Sequence, residues 1–128
     1  MSFIETGKKE TEDAAMNMIQ EIRENVKMEI RPDSQGTEYL EAVIDRDDME
    51  SLLLILIKHL GAAAKGPGKS AKFPPEIQGL VDDLGGLRIE QTFFYKRDGT
   101  AVVYAALWPW QSNPNRITLK SGTGKLVS

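Results

Sequence analysis

The stretch that decides the fold is Leu87-Arg-Ile-Glu-Gln-Thr-Phe-Phe-Tyr-Lys96, followed by Arg97-Asp98-Gly99-Thr100 and Ala101-Val-Val-Tyr-Ala-Ala-Leu-Trp108. Two runs rich in β-branched and aromatic residues flank the dipeptide Asp98-Gly99, the strongest short-range signal for a hairpin turn. With this dipeptide as the turn, Phe94 lies opposite Val103. The sequence therefore predicts an antiparallel hairpin with strands over residues 87–96 and 100–108.

Both faces of this predicted hairpin are apolar. The Phe94 face carries Phe94, Ala101, Val103, Ala105 and Leu107, with Glu90, Thr92 and Lys96 as its polar members. The Tyr104 face carries Ile89, Gln91, Phe93, Tyr95, Val102, Tyr104, Ala106 and Trp108. In a small monomer an antiparallel sheet normally has one buried and one solvated face. If the helices cover one face, the other face remains exposed as an apolar patch, and soluble monomers seldom have such a patch.

Self-association is the simplest way to bury that second face, and a two-fold homodimer is the favoured form. The alternative is a monomer whose N-terminal helix covers one face while its central helix covers the other.

Three helices are predicted from apolar residues that recur with helical spacing over residues 11–25, 49–60 and 74–84. A capping box at Asp47 and Glu50 is expected to begin the central helix. Leu54, Ile55 and Ile57 lie outside the core stripe of that helix, so it is expected to be central or covered by a partner.

The remaining strands complete an α+β domain. Apolar residues alternate over 26–30 and 40–44 around turn residues at 32–36, and a short strand is expected at 116–120. The order α-β-β-α-α-β-β-β predicts an antiparallel sheet of about five strands, two hairpins plus a short C-terminal strand, with helices packed on one side. The predicted organisation is a loose segment at 1–10, one domain at 11–120 and a C-terminal tail at 121–128.

Composition removes several classes of function. The 128 residues include no cysteine and one histidine, His59, which excludes disulfides, thiolate metal sites, cysteine nucleophiles and a multi-histidine metal site within one chain. Asp45, Asp47 and Asp48 are explained by a helix cap, so no metal and no cofactor are expected. An enzyme is the third choice of function, because no catalytic constellation is recognisable.

Charge is distributed unevenly along the chain. Residues 1–50 hold six Lys and Arg against fourteen Asp and Glu, whereas residues 51–128 hold ten against five. The favoured explanation is that the two halves complement each other in the fold. The alternative is an anionic partner for the basic half.

A Lys-rich, Gly-rich connector supports that alternative. Lys58, Lys65, Lys69 and Lys72 concentrate positive charge, which suits nucleic acid or another anionic ligand, although a solvated loop is the simpler interpretation. The stretch 63–70 also matches a relaxed P-loop pattern. It follows a helix, and Pro74-Pro75 prevents a helix from starting at Lys69, so a nucleotide site of that kind is not expected.

Trp108-Pro109-Trp110 forms an aromatic corner beside Tyr104. Rigid aromatic residues concentrate at interface hot spots, and core packing is the equal alternative. Trp110 is expected to be the more exposed of the two tryptophans. The candidate association site therefore comprises Phe94, Val103, Leu107, Tyr104, Trp108 and Trp110.

The leading prediction is a non-enzymatic protein that acts by association, as a homo-oligomer and with a protein or small-ligand partner. Binding of nucleic acid or an anionic ligand through Lys65, Lys69 and Lys72 is the alternative. The longest apolar run, residues 52–57, is too short to span a membrane, and no secretory signal is recognised, so a cytoplasmic protein without membrane contact is expected.

Overall fold

The computed structural model describes residues 3–31, 39–69 and 72–125, with side chains from Thr11 onward. The elements follow the predicted order, and the α+β class is confirmed. They are α1 (Phe3–Asn25), β1 (Glu29–Ile30), β2 (Leu40–Asp45), α2 (Met49–Leu60), α3 (Pro75–Asp83), β3 (Thr92–Asp98), β4 (Ala101–Pro109) and β5 (Arg116–Lys125). Within these ranges no helix is long and apolar enough to cross a membrane.

Helix α1 is longer than predicted. It begins at Phe3, so residues 3–10 continue the helix instead of forming a loose segment. The predicted turn at 32–36 lies outside the described residues. Helix α2 has the predicted bounds, but its N-cap is Asp48, without a side-chain capping bond, so the predicted capping box at Asp47 and Glu50 is wrong.

The five strands form one antiparallel sheet in the order β1-β2-β5-β4-β3. β5 lies at the centre and pairs with both β2 and β4. It is ten residues long, so residues 121–125 belong to the sheet and not to a tail. The two glycines at 122 and 124 favour the prediction of a tail over a strand, because glycine is unfavourable in strands.

The β3–β4 hairpin turns one step later than predicted. Asp98 pairs with Ala101, which leaves Gly99 and Thr100 as the two loop residues. Gly99 has a φ of 62°, which a glycine adopts at no steric cost and which type II′ turns require at this position. The register moves by two residues, an even number, so every side chain keeps its predicted face. Residues 87–91 are not part of the strand.

The helices α1 and α2 cover the Phe94 face. The apolar stripes of the two helices pack against that face and against neighbouring residues of β2 and β5 to form one core. The members of this core include Met18, Ile19, Ile22, Leu40, Leu52, Leu56, Phe94, Leu107 and Leu119. The strands β1 and β2, which lie between these helices in sequence, are neighbours at one side of the sheet.

The third helix lies on the opposite face. Ile77 and Val81 of α3 pack against Phe93, Val102, Tyr104 and Ala106. The helices are therefore not all on one side, and the β3–β4 part of the Tyr104 face is covered by the chain itself. The covering element is α3, and neither α1 nor α2 takes that position.

The connector between α2 and α3 explains this change of face. Lys65 pairs with Phe93 at the outer edge of β3 through Lys65 N to Phe93 O (3.2 Å) and Phe93 N to Lys65 O (3.0 Å). The connector thus passes around the sheet edge, and the chain that leaves α2 on the Phe94 face reaches the Tyr104 face.

Candidate functional site

The predicted association residues on the sheet are buried. Phe94 and Leu107 are each 2% exposed and Val103 and Tyr104 each 5% exposed. Phe94, Val103 and Leu107 belong to the core under α1 and α2, and Tyr104 belongs to the core under α3. Because a docking residue must be accessible, these four side chains do not form an open binding surface.

The aromatic corner packs on the sheet with its rings in contact with cations. Lys120 Nζ lies 4.3 Å from the centre of the Trp108 ring, and Arg116 lies 5.5 Å from that of Trp110. Trp110 Nε1 donates to Thr118 Oγ1 at 2.8 Å. Both tryptophans are half-buried. Trp108 Nε1 is buried without an acceptor among the described residues.

The lysines of the connector divide into one buried and two exposed side chains. Lys65 is 5% exposed, and its ammonium donates to the carbonyl oxygens of Gly66, Ile89 and Gln91. Burial lowers the pKa of Lys65, and the Glu90 carboxylate acts in the opposite direction. Lys69 and Lys72 are exposed. Lys65 therefore fastens the connector to residues 89–91 and is not open to a ligand.

A cleft of about 570 Å³ lies where α1, the last turn of α2 and the outer end of β3 meet. Its charged and polar lining consists of Thr11, Lys58, His59, Lys96, Arg97 and Asp98, with Val103 in its wall. Lys96 and Asp98 project from the Phe94 face beyond the end of α2, because they alternate with Phe94 along β3. The folded chain thus brings together cations that are 38 residues apart in sequence.

Glu21 of α1 holds two of these lining residues in position. Its Oε1 lies 3.0 Å from Lys58 Nζ and 3.0 Å from His59 Nε2. The hydrogen bond with His59, followed by that with Lys58, lowers the pKa of the Glu21 carboxyl. An ionised carboxylate only accepts hydrogen bonds, so His59 Nε2 carries the hydrogen and Nδ1 is left for another partner.

Two lysine ammoniums and two carboxylates set the charge of the cleft. Lys58 and Lys96 stand against the Asp98 carboxylate in the lining and the Glu21 carboxylate behind it. Arg97 alternates with Lys96 along β3, so its side chain projects toward the Tyr104 face and α3. Arg97 Nε donates to the Gly99 carbonyl, and its nearest carboxylate oxygen, on Glu76, is 3.9 Å away. Lys96 is exposed and has no ion-pair partner in the part of the chain that the structure describes.

Sequence reasoning missed this site for a definable reason. In the sequence, Lys96 and Arg97 lie at the end of the predicted hairpin and His59 lies near the end of the central helix, so no local pattern relates them. Their convergence depends on how α1 crosses α2 and β3, which no local pattern encodes. The described residues contain no group of three or more His, Asp or Glu side chains suited to a metal ion.

Comparisons with known proteins give no functional lead: no protein-family model, curated protein or solved structure matches this chain. The chemistry of the cleft and of the exposed surfaces is therefore the basis for assigning a function.

Proposed function

We propose that the protein binds a small molecule with a phosphate or carboxylate group in the cleft between α1, α2 and β3. The observation that carries the proposal is the convergence of Lys58 and Lys96 in one concave site, where Lys96 has no ion-pair partner among the described residues. Hydrogen bonds from cationic donors to phosphate or carboxylate oxygens are about twice as strong as neutral ones. A cleft also strengthens the field of its charges, because its walls are less polarisable than water.

The donors in the cleft are complementary to an anion of more than one oxygen. The Lys58 and Lys96 ammoniums act as two point charges, and each can contact a different oxygen of one anion. The Glu21 contact limits the rotamers of Lys58, which lowers the entropy that binding must remove. Val103 supplies a small apolar contact beside these donors.

This proposal retains the anionic ligand of the sequence-based alternative and moves its site. Of the four lysines only Lys58, in the last turn of α2, lines the cleft, whereas Lys69 and Lys72 are absent from the lining and Lys65 is engaged with carbonyl groups. A single exposed lysine binds an anion weakly, because salt screens its charge.

Titration of the ¹⁵N-labelled protein with pyrophosphate, and separately with citrate, tests the proposal. We expect saturable shifts of the amide signals of His59, Lys96 and Arg97 with at least one of the two anions. Whichever anion binds more tightly identifies phosphate or carboxylate as the preferred group. Lys96→Gln is expected to raise the Kd about tenfold, the loss of one charge-assisted hydrogen bond of roughly 1.4 kcal/mol.

Lys69→Gln is the matched control, because it removes another exposed lysine, one that lies outside the cleft. Its Kd should remain within about twofold of the wild-type value. A larger effect from Lys69→Gln than from Lys96→Gln would assign binding to the connector instead. Shifts that increase linearly without saturation for both anions would contradict a specific site.

A further inference from the structure

Helix α2 presents two large apolar side chains to solvent. Leu54 is 64% exposed and Ile57 is 50% exposed, although the opposite side of the same helix is buried in the core. The two residues are three apart and therefore neighbours on one helical face. Isolated exposed apolar residues need no explanation, but an adjacent pair on a helix is a candidate contact surface.

Charged residues of opposite sign lie on either side of this pair. Glu50 precedes Leu54 by four residues and Lys58 follows it by four, so each is about 6 Å from Leu54 along the helix axis. Both charged side chains are exposed. Within the described residues Glu50 has no ion-pair partner, while Lys58 Nζ contacts Glu21.

We propose that a second copy of this chain docks on α2, with the two α2 helices antiparallel and a two-fold axis at Leu54. This arrangement brings Leu54 against Leu54 of the second copy and Ile57 over Ser51. It also places Glu50 opposite Lys58 of the second copy, and symmetry repeats that ion pair on the other side. A two-fold interface requires such a self-complementary patch.

The charge pattern selects this orientation over a parallel one. Parallel helices in register would place Glu50 beside Glu50 and Lys58 beside Lys58, and like charges at that separation repel. In the antiparallel arrangement Lys58 lies between Glu21 of its own chain and Glu50 of the second copy. This surface is separate from the sheet faces, which the chain already covers around β3 and β4.

The interface is small, so the dimer is expected to be weak and reversible. A helix of twelve residues is about 18 Å long, and two such helices bury less area than a standard stable complex. Association should therefore depend on protein concentration and should weaken as salt screens the paired charges.

Sedimentation velocity over a range of protein concentrations tests the proposal without any ligand, so its result is independent of the anion-binding cleft. We expect a concentration-dependent shift from monomer to dimer for the wild-type chain. Leu54→Gln should raise the dimer dissociation constant at least about tenfold. Ile89→Gln is the matched control, because Ile89 is 62% exposed but lies away from α2, and it should leave dimerisation unchanged.

A charge exchange tests the register itself. Glu50→Lys and Lys58→Glu should each be monomeric alone, because each places like charges opposite one another. Mixed in equal amounts, the two variants should form a heterodimer, since both opposed pairs are again of opposite sign. Circular dichroism verifies that each variant is folded.

Three results would overturn the proposal. The first is a wild-type chain that stays monomeric at every concentration. The second is an equal effect of Ile89→Gln and Leu54→Gln, which would indicate non-specific association. The third is a mixture of the two charge variants that remains monomeric, which would show that Glu50 and Lys58 do not face each other.

Discussion

Lys65 shows how one buried charge can fix the path of a whole segment. Its ammonium donates to three carbonyl oxygens, and its backbone pairs with Phe93, so side chain and main chain hold the same stretch against the sheet edge. Main-chain bonds from Ala64 N to Phe93 O (2.9 Å) and Gly68 N to Ile89 O (2.7 Å) extend this contact. A buried ammonium is tolerable here because its three protons all have acceptors.

Lys65→Met tests this structural role, because methionine keeps the apolar stem and removes the donors. We expect the free energy of unfolding to fall by about 1–3 kcal/mol, since three carbonyl groups lose a hydrogen-bond donor. Urea unfolding followed by tryptophan fluorescence gives the value. Lys69→Met, on an exposed lysine of the same connector, should change it by less than about 0.5 kcal/mol. Equal effects of the two substitutions would refute the role.

The sequence identified the charged residues of the connector but could not separate their environments. A Gly-rich and Lys-rich segment has no periodicity, so no pattern indicates that Lys65 points inward while Lys69 and Lys72 are solvated. The same limit applies to His59, whose partner Glu21 lies 38 residues away. Contacts of that separation are set by tertiary packing.

Local elements were predictable where one pattern dominates. The bounds of α2 follow from its apolar period, and the two faces of the β3–β4 hairpin follow from strict alternation, which an even shift of register preserves. β5 was underestimated because propensity disfavours glycine in a strand. Gly124 has a tertiary reason for its place there: an added Cβ would lie 3.1 Å from Leu80 Cδ1 and 3.2 Å from Val102 Cγ1.

Two glycine substitutions on packed elements should therefore have opposite signs. Gly124→Ala is expected to lower the free energy of unfolding by about 1 kcal/mol, because Val102 is fully buried and cannot move away easily. Gly79→Ala in α3 is expected to raise it by roughly 0.5–1 kcal/mol, since its added methyl group meets nothing within 4 Å and alanine favours a helix. Thermal or urea unfolding measures both. Stabilisation by Gly124→Ala would show that α3 is not closely packed on β5.

At the scale of the whole molecule, the path of the chain was the least predictable feature. The sequence correctly indicated that both hairpin faces need cover, but it did not say which element supplies it. The composition of the connector is that of a solvated loop. It therefore gives no indication that Lys65 pairs with Phe93 at the sheet edge and that the chain passes there to the Tyr104 face. The predicted dimer through a sheet face lost its basis once α3 was found on that face.

The charge asymmetry between the two halves does have a structural counterpart. Basic residues of the second half contact acidic residues of the first: Lys58 with Glu21 (3.0 Å), Arg116 with Glu29 (2.8 Å) and Asp45 (3.3 Å), and Lys120 with Glu41 (3.8 Å). This arrangement supports the favoured explanation that the halves complement each other. The small net charge of −3 is therefore the sum of an acidic first half and a basic second half that contact each other.

Arg116 is the centre of this complementarity, because it joins β5 to acids on β1 and β2 and also lies over Trp110. Single exposed ion pairs contribute little, but a shared cation with two carboxylates and an aromatic ring forms a small network. Arg116→Gln is therefore expected to lower the free energy of unfolding by about 1 kcal/mol at low ionic strength. Raising the salt from about 20 to 500 mM should shrink that loss, since screening weakens the pairs in the wild-type chain. Arg88→Gln removes an exposed arginine without an ion-pair partner among the described residues, so its effect should be small at both salt concentrations. A loss from Arg116→Gln that is independent of salt would instead assign the role of Arg116 to packing on Trp110.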